Sequence, residues 1–341
     1  MRVDCAPAAQ LTAGDWQAWD AIRGETPGLS SPYFASEFCR AVASCSPDLF
    51  VARIHGATHA AGFFPFHRSR WRTGWPLARW LSDYQGVIAR DDVAIDPTAL
   101  LRGCGLKTFD FDHLLASQRS FRRFAHGGAP SHTIDLRGGF DRYVATIGGS
   151  SSVVKATWRQ GRALARAMGP VRFAYQVDDP AAFGALMRLK SLQYSATGVR
   201  DRFADRWTRD VVSAVVGQRS PGLSGVLSVL FVGDRMAAIV LSMRSGPVLH
   251  YWFPAYDVRF ARYSPGILLL LELAKAASTS GVDTMDLGMG DHAYKSRLAT
   301  GTVDLLRGRI ERPSAVAAWR MARRGVVRLS GWVSSRRSRA A

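Results

Sequence analysis

The chain has 341 residues, more than the roughly 100 to 200 of one ordinary domain, so two domains or one duplicated unit are expected. Its 47% hydrophobic and 21% charged residues are those of a folded globular protein and exclude global disorder. The net charge of +18 points to an anionic partner, whether nucleic acid, a membrane surface or a phosphorylated small molecule, and does not choose among them.

The opening residues MRVDCAPAAQLTAGDW contain no apolar run of signal-peptide length. The longest aliphatic run, Ile267 to Leu271, falls far short of the ~20 residues that span a bilayer, so a cytoplasmic protein is expected. Cys5, Cys39, Cys45 and Cys104 form no CxxC pair and have no histidine at zinc-finger spacing. Reduced, structural thiols are the expectation, with no metal site.

Residues 49–66, LFVARIHGATHAAGFFPF, read as strand, turn, strand. Residues 226–243, VLSVLFVGDRMAAIVLSM, read the same way, with Gly56 and Gly233 in the two turns and Ala60-Ala61 answered by Ala237-Ala238, 177 residues apart. A second echo sets Gly105-Leu-Lys-Thr-Phe-Asp110 against Gly281-Val-Asp-Thr-Met-Asp286 at a spacing of 176. Two matches at nearly constant spacing indicate two copies of one α/β unit, residues 1–137 and 138–312, followed by a basic tail, 313–341.

The second copy has the clearer outline. Residues 151–168 read as a basic helix carrying Lys155, Arg159, Arg162 and Arg166, stopped by Gly169-Pro170. Residues 180–196 place Phe183, Leu186, Met187, Leu189 and Leu192 on a helical period. Strands are expected at 227–232, 236–243 and 248–256, then a helix over 266–278 ending near Gly281, then a buried strand over 282–287.

Residues 248–287 are therefore a βαβ unit, with two parallel strands and a helix crossing one face. The loop YSPG, 263–266, lies at the C-terminal edge of that sheet, where ligands bind and a helix N-terminus offers N–H groups to a pyrophosphate. Gly266 would admit a phosphate close to the backbone, Pro265 suits a first turn, Ser264 would cap, and Arg259 and Arg262 add positive charge. The equally simple alternative is a capped turn. At the matching passage the first copy reads VIARDDVAIDPTALL, with Asp91 and Asp92 where phosphate would sit, so that half is expected to be degenerate.

The tail AWRMARRGVVRLSGWVSSRRSRAA mixes Trp319, Val326, Val327, Leu329 and Trp332 with seven arginines from Arg320 onward. It reads either as a basic segment for an anionic membrane surface or as a solvated helix with a loose end.

SPYFASEF at 31–38, DYQGVIA at 83–89, LKSLQYSATG at 189–198 and, above all, YSPGILLLLELAKAASTSGVDTMDLGMGDHAYK at 263–295 resemble the CelD-type acyltransferases of the GNAT superfamily. The resemblance runs over nearly the whole chain. It implies two tandem GNAT-like units, each a mixed sheet flanked by helices, in a family tied to cellulose or exopolysaccharide synthesis. It implies acyl-CoA, acetyl-CoA first, as a donor held between two splayed parallel strands, with its pyrophosphate contacted by Arg259, Arg262, Ser264, Gly266, Ile267 and Lys295. The superfamily's phosphate loop has Arg or Gln, two residues, Gly, one residue, then Gly or Ala; here Arg262 precedes Gly266 by four and Leu268 stands at the small position.

Acyl transfer needs a base for the acceptor, a site for the oxyanion and an acid for the leaving thiolate. The resemblance puts Tyr294 at the thiol end as acid, with Asp291 and His292 as candidate bases. It puts Asp83, Tyr84, Gln85, Gln193 and Tyr194 along an acceptor cleft for a sugar or sugar nucleotide. Asp286, echoed by Asp110, reads as structural. The chain also resembles the FemAB-type transferases, which draw on aminoacyl-tRNA, although it lacks a compact insertion like their helical arm. A noncatalytic subunit of a polysaccharide-synthesis complex is the third reading. No helix-turn-helix, zinc or RNP pattern supports a nucleic-acid module.

Overall fold

The computed structural model describes residues 1–56, 60–148, 151–196, 198, 200–290 and 292–312. Asp291 and the 313–341 tail lie outside the described residues. The first half runs β1 (Arg2–Pro7), α1 (Ala13–Gly24), α2 (Ser36–Ala43), β2 (Leu49–His55), β3 (Ala60–Arg68), β4 (Thr73–Pro76), β5 (Ile88–Ala89), α3 (Pro97–Gly103), β6 (Thr108–Leu115) and β7 (Ala125–Asp135). The second runs α4 (Phe140–Thr146), α5 (Ser151–Met168), β8 (Val171–Ala174), α6 (Pro180–Ala196), α7 (Arg206–Val216), β9 (Ser224–Val232), β10 (Arg235–Ser245), β11 (Val248–Tyr256), α8 (Pro265–Thr279), β12 (Thr284–Met289), α9 (Ala293–Leu298) and β13 (Gly301–Glu311).

All the strands form one mixed sheet in the order β1-β2-β3-β4-β6-β13-β7-β12-β11-β10-β9-β8, with β5 beside β3. The order is a near-palindrome of the two halves. β7 and β13, starting at Ala125 and Gly301, 176 residues apart, occupy the centre and are exchanged. β7 pairs with β12 of the second half, β13 pairs with β6 of the first, and the two pair with each other. Each half's sheet is thus completed by a strand from the other.

The repeated glycines explain themselves locally. Gly105 and Gly281 follow α3 and α8 with φ of +65° and +77°, the left-handed conformation that ends a helix with little strain only in glycine. α8 is apolar on nearly all sides because it is enclosed; Leu268 to Leu271, Leu273, Ala274 and Ala277 are all buried. Its strand partners are near-continuous apolar runs, as expected of strands covered on both faces. β12 begins at Thr284, two residues later than the pattern predicts, since Val282 is still hydrogen-bonded to the end of α8.

On one face of the sheet a single core joins the halves, uniting Trp19, Phe38 and Phe63 of the first with Leu186, Phe203 and Val212 of the second. α2 packs on α7 across that junction. On the other face each half keeps its own core, under α8 in the second and under α3 in the first. α6 departs from its predicted face in one respect: Leu192 is 65% exposed, while Lys190 takes the buried position four residues after Leu186.

Candidate active site

β11 and β12 run parallel, but pair only where Val248, Leu249 and His250 face Thr284, Met285 and Asp286. Beyond His250, β11 bulges: Tyr251 and Trp252 together oppose Ser242 of β10, and the strand bends away. The two strands splay and leave a cleft of about 670 Å³, with the first turn of α8 at its mouth. Ser264, Gly266, Ile267, His292, Tyr294 and Lys295 line it from the second half, with Gln193 and Tyr194 of α6. Asp83 and Trp80 reach in from the first half.

At the mouth, Ser264 is left-handed (φ +52°) and its hydroxyl does not cap α8; its carbonyl instead accepts from the N–H groups of Ile267 and Leu268, both at 3.1 Å. That corrects the expected Ser264 cap. Gly266 lies against the Tyr256 ring, where a Cβ would stand at 3.4 Å. Leu268 does not obstruct the loop, because its side chain turns into the core against Gly161 of α5, where a Cβ at Gly161 would lie 3.0 Å from it. Arg259 and Arg262 are not brought into the cleft. Arg259 is held by both oxygens of Asp257, and Arg262 stacks 4.6 Å from the Tyr263 ring.

Beneath the splay lies a buried charge network built from both halves. His250 is fully buried, with Nε2 3.0 Å from Asp83 Oδ2 and Nδ1 3.5 Å from Asp286 Oδ1. Burial by itself would lower the imidazole's pKa, but the two carboxylates outweigh it and lift it to about 9. Asp286 accepts from Ser131 Oγ at 2.8 Å, from the Gly288 N–H at 2.7 Å and from the Tyr84 hydroxyl. Burial would raise its pKa; His250 and these donors hold it below the usual carboxylate range. Gly288 is required here, since its φ is +74° and a Cβ would sit 3.0 Å from Asp83 Oδ2. Tyr84 therefore lies under the cleft, holding Asp286, and does not line it. Gln85 lies elsewhere too, its amide bonded to Asp112 and to the backbone of Asp112 and His113.

Over residues 152–296 the sequence matches the acetyltransferase (GNAT) domain. The fold is tandem GNAT-like. Among solved structures, the C-terminal domain of a putative lysylphosphatidylglycerol synthetase from Agrobacterium fabrum is 13% identical over 92% of this chain and 96% of its own, with a TM-score of 0.56. FemX is 10% identical over 94% and 99%, with a TM-score of 0.61. A tandem GNAT protein from the clavulanic acid biosynthesis pathway is 11% identical over 92% and 99%, with a TM-score of 0.53. Such identities establish likeness of fold only. No curated protein matches the chain.

In the GNAT segment the wall of the cleft is rich in groups with displaced titration. Burial pushes the Tyr294 hydroxyl up to about 12, so it stays protonated. His292 stacks on Tyr294 with ring centroids 5.9 Å apart and is otherwise exposed at the rim. Lys295 is buried, its ammonium donating to the carbonyls of Gly288 at 3.2 Å and Met289 at 2.9 Å; burial lowers its pKa against the pull of Asp83 and Asp286. It ties the end of β12 to α9.

Lys190, His250, Trp80 and Trp252 were not singled out as site residues by sequence. Lys190 Nζ donates to Gln193 Oε1 at 3.1 Å and lies 3.4 Å from the Pro254 carbonyl on β11. Burial lowers its pKa to about 8. A signal was present: a lysine on the apolar stripe Ala182, Leu186, Lys190 is out of place on a solvated helix. His250 gave a similar one, a lone ionisable residue within a buried strand.

The first half has the corresponding geometry and closes it. β4 and β6 pair in parallel at Thr73 and Gly74 only, and the segment after β4 returns so that Gln85 bridges Leu114. The Gln118 side chain then clamps Val87, accepting from its N–H at 3.0 Å and donating to its carbonyl at 2.7 Å. The gap that stays open in the second half is occupied by the protein's own amides in the first.

Proposed function

We propose that the protein is an acyl-CoA-dependent acyltransferase, with acetyl-CoA the first donor to test, acting on an amine or hydroxyl of a sugar or sugar-nucleotide acceptor. The observation that carries this reading is the open splay of β11 and β12, bulged at Tyr251 and Trp252 and capped by the first turn of α8, inside the segment that matches the GNAT domain. GNAT domains use acyl-CoA as donor, consistent with the absence of any need for a resident cofactor. In this reading residues 138–312 hold the donor and residues 1–137, whose splay is stitched shut, shape the acceptor side.

The pyrophosphate of the donor lies at the first turn of α8 beside Gly266 and Ile267, where the Gly266 N–H and the helix dipole favour an anion, the Ile267 and Leu268 N–H groups being given to the Ser264 carbonyl. The thioester lies along β11, whose bulge turns backbone N–H groups toward the nascent oxyanion. Lys190, whose pKa burial lowers to about 8, takes in its neutral form the proton from the acceptor as the acceptor's nitrogen or oxygen attacks the thioester carbon. As the tetrahedral intermediate collapses the C–S bond breaks, and the Tyr294 hydroxyl passes its proton to the departing thiolate. Asp83, anchored by His250, receives an acceptor hydroxyl or amine, with Tyr194 and Trp80 as ring surfaces. His292 remains at the rim.

The test is a thermal-shift series with CoA, acetyl-CoA and longer acyl-CoAs, run with and without RNase-treated tRNA fractions. A ligand confined to the native state at a hundredfold excess over Kd stabilises by about 2.7 kcal/mol. A shift with thioesters supports this reading. No shift with any thioester, with RNase-sensitive transfer from aminoacyl-tRNA, replaces it with the FemAB-like alternative. Inertness to both leaves a noncatalytic subunit.

A further inference from the structure

The hairpin that joins β3 to β4 turns through Ser69-Arg70-Trp71-Arg72. Ser69 pins it. Its hydroxyl accepts from the N–H groups of Trp71 at 3.2 Å and Thr73 at 3.1 Å, and its carbonyl accepts from the Arg72 N–H at 3.0 Å. The turn holds Arg72 left-handed (φ +62°), a conformation that glycine or asparagine would take with less strain. It also holds Trp71 away from every core; 69% exposed, Trp71 is the one exposed tryptophan among the described residues. A surface tryptophan by itself is ordinary. The charges around this one are not.

Three strands terminate here, each beside a cation. Arg72 precedes β4, Lys107 precedes β6 and Arg312 follows β13. The Lys107 N–H donates to the Arg72 carbonyl at 2.8 Å and the Arg312 N–H to the Lys107 carbonyl at 2.9 Å, so the three are backbone neighbours. All three, and Arg70, are exposed. The Arg70 guanidinium lies 4.9 Å from the Trp71 ring centre and that of Arg68 lies 3.8 Å from the Phe50 ring centre; a ring contact leaves the positive charge in place. The neighbouring carboxylates are given elsewhere. Asp48 is taken by His67 and Arg79 and Asp110 by Arg309, while Glu311 is half-buried and acts on Arg309. Arg70, Arg72, Lys107 and Arg312 form no ion pair among the described residues. The 313–341 tail, with Trp319, Trp332 and seven arginines from Arg320 onward, continues directly from Arg312.

We propose that this end of the sheet docks on an anionic lipid bilayer, with Trp71 in the headgroup layer and Arg70, Arg72, Lys107 and Arg312 against lipid phosphates. Tryptophan suits that layer because its ring is apolar and its N–H finds a polar partner. The cations gain from the negative surface potential of the bilayer. One ring and four cations attach weakly and reversibly, and stable attachment takes a second signal; the tail's arginines and tryptophans supply it from the same point of departure. A hairpin tip gives a nucleic-acid strand no basic groove to follow, whereas a bilayer needs only a tip that can enter it. The surface shares no residue with the cleft and holds whatever the cleft binds.

Flotation of the full chain with vesicles of phosphatidylcholine alone, or of three parts phosphatidylcholine to one part phosphatidylglycerol, tests the docking. The expected result is binding to the anionic vesicles only, weakened by salt. Arg70→Gln with Lys107→Gln should reduce that binding about tenfold or more, and Trp71→Ser should reduce it severalfold. Both variants keep the tail, so a loss assigns the binding to the hairpin end. The three residues are exposed, and an unchanged thermal midpoint verifies that the variants fold. No flotation with anionic vesicles, or binding equal to wild type in either variant, overturns the proposal. So does RNA that binds through the same residues while vesicles do not.

Discussion

His250 Nε2 on β11 lies 3.0 Å from Asp83 Oδ2, joining residues 167 positions apart, one from each half, at the base of the cleft. On its other side the same ring faces Asp286. In the proposed reading, the carboxylate on the acceptor side is fixed by a residue of the strand that carries the donor.

Replacing that ring should be costly and pH-dependent. His250→Asn leaves Asp286 buried beside Asp83 without its imidazolium partner, the Lys295 ammonium alone remaining close to both, and breaking a buried pair costs about 3–5 kcal/mol. The folded-state pKa of His250 is raised, to about 9, so its contribution is complete below the ordinary value near 6.5 and is lost as pH rises through about 9. Urea unfolding of wild type and His250→Asn should show a wide gap at pH 6.5 that narrows by pH 10. A gap independent of pH would mean the imidazole is neutral in the fold.

The mouth of the cleft makes two opposite predictions. Gly266→Glu fits sterically, with Cβ 3.4 Å from Tyr256, and a carboxylate in a first turn favours the helix; stability should hold while the acetyl-CoA thermal shift disappears. Leu268→Ala should do the reverse, losing about 2–5 kcal/mol through a core cavity and retaining the shift. Loss of the shift in Leu268→Ala at temperatures where it is folded would return Leu268 to the phosphate loop.

Lys190→Met removes a buried ammonium and keeps the aliphatic stem. Activity should fall about 10²- to 10⁴-fold in kcat/KM, and the rise of activity with pH through about 8 should vanish. The folded-state pKa of Lys190 is depressed, so below about 8 the ammonium opposes folding and the variant's thermal midpoint should not drop. An unchanged pH profile would leave Lys190 as a binding residue only.

Tyr294→Phe tests the acid. The hydroxyl stays protonated because burial raises its pKa to about 12. The variant should lose about 10²-fold in kcat with little change in KM for the donor, and thioesters with more acidic thiols should restore much of the rate. Equal losses for every leaving group would argue for a packing role.

Most of the elements of the second half, and the repetition, were legible in the sequence. α5, α6 and α8 follow local signals, namely apolar period and a Gly or Pro stop, and these act within a few residues. The echo at 176 to 177 residues was legible because each half needs the same turns, and Gly105 and Gly281 have to be left-handed in both. Gly266, Ile267, Tyr294 and Lys295 were legible as neighbours of the cleft because a βαβ unit fixes which end of the sheet its loop reaches.

The tertiary structure alone decided the rest. That β7 completes the second half and β13 the first depends on strand pairing between distant segments, which side-chain pattern does not encode. Whether a parallel pair splays open or is closed depends on what else reaches the gap: Gln85 and Gln118 fill it in one half, and nothing among the described residues bridges it in the other. That Arg259 faces Asp257 and Arg262 faces Tyr263 was not legible in the sequence, because each contact depends on how the loop before α8 folds. The charge of His250 exists only because folding brings two carboxylates from separate halves around one buried ring, and that energy belongs to the assembled geometry.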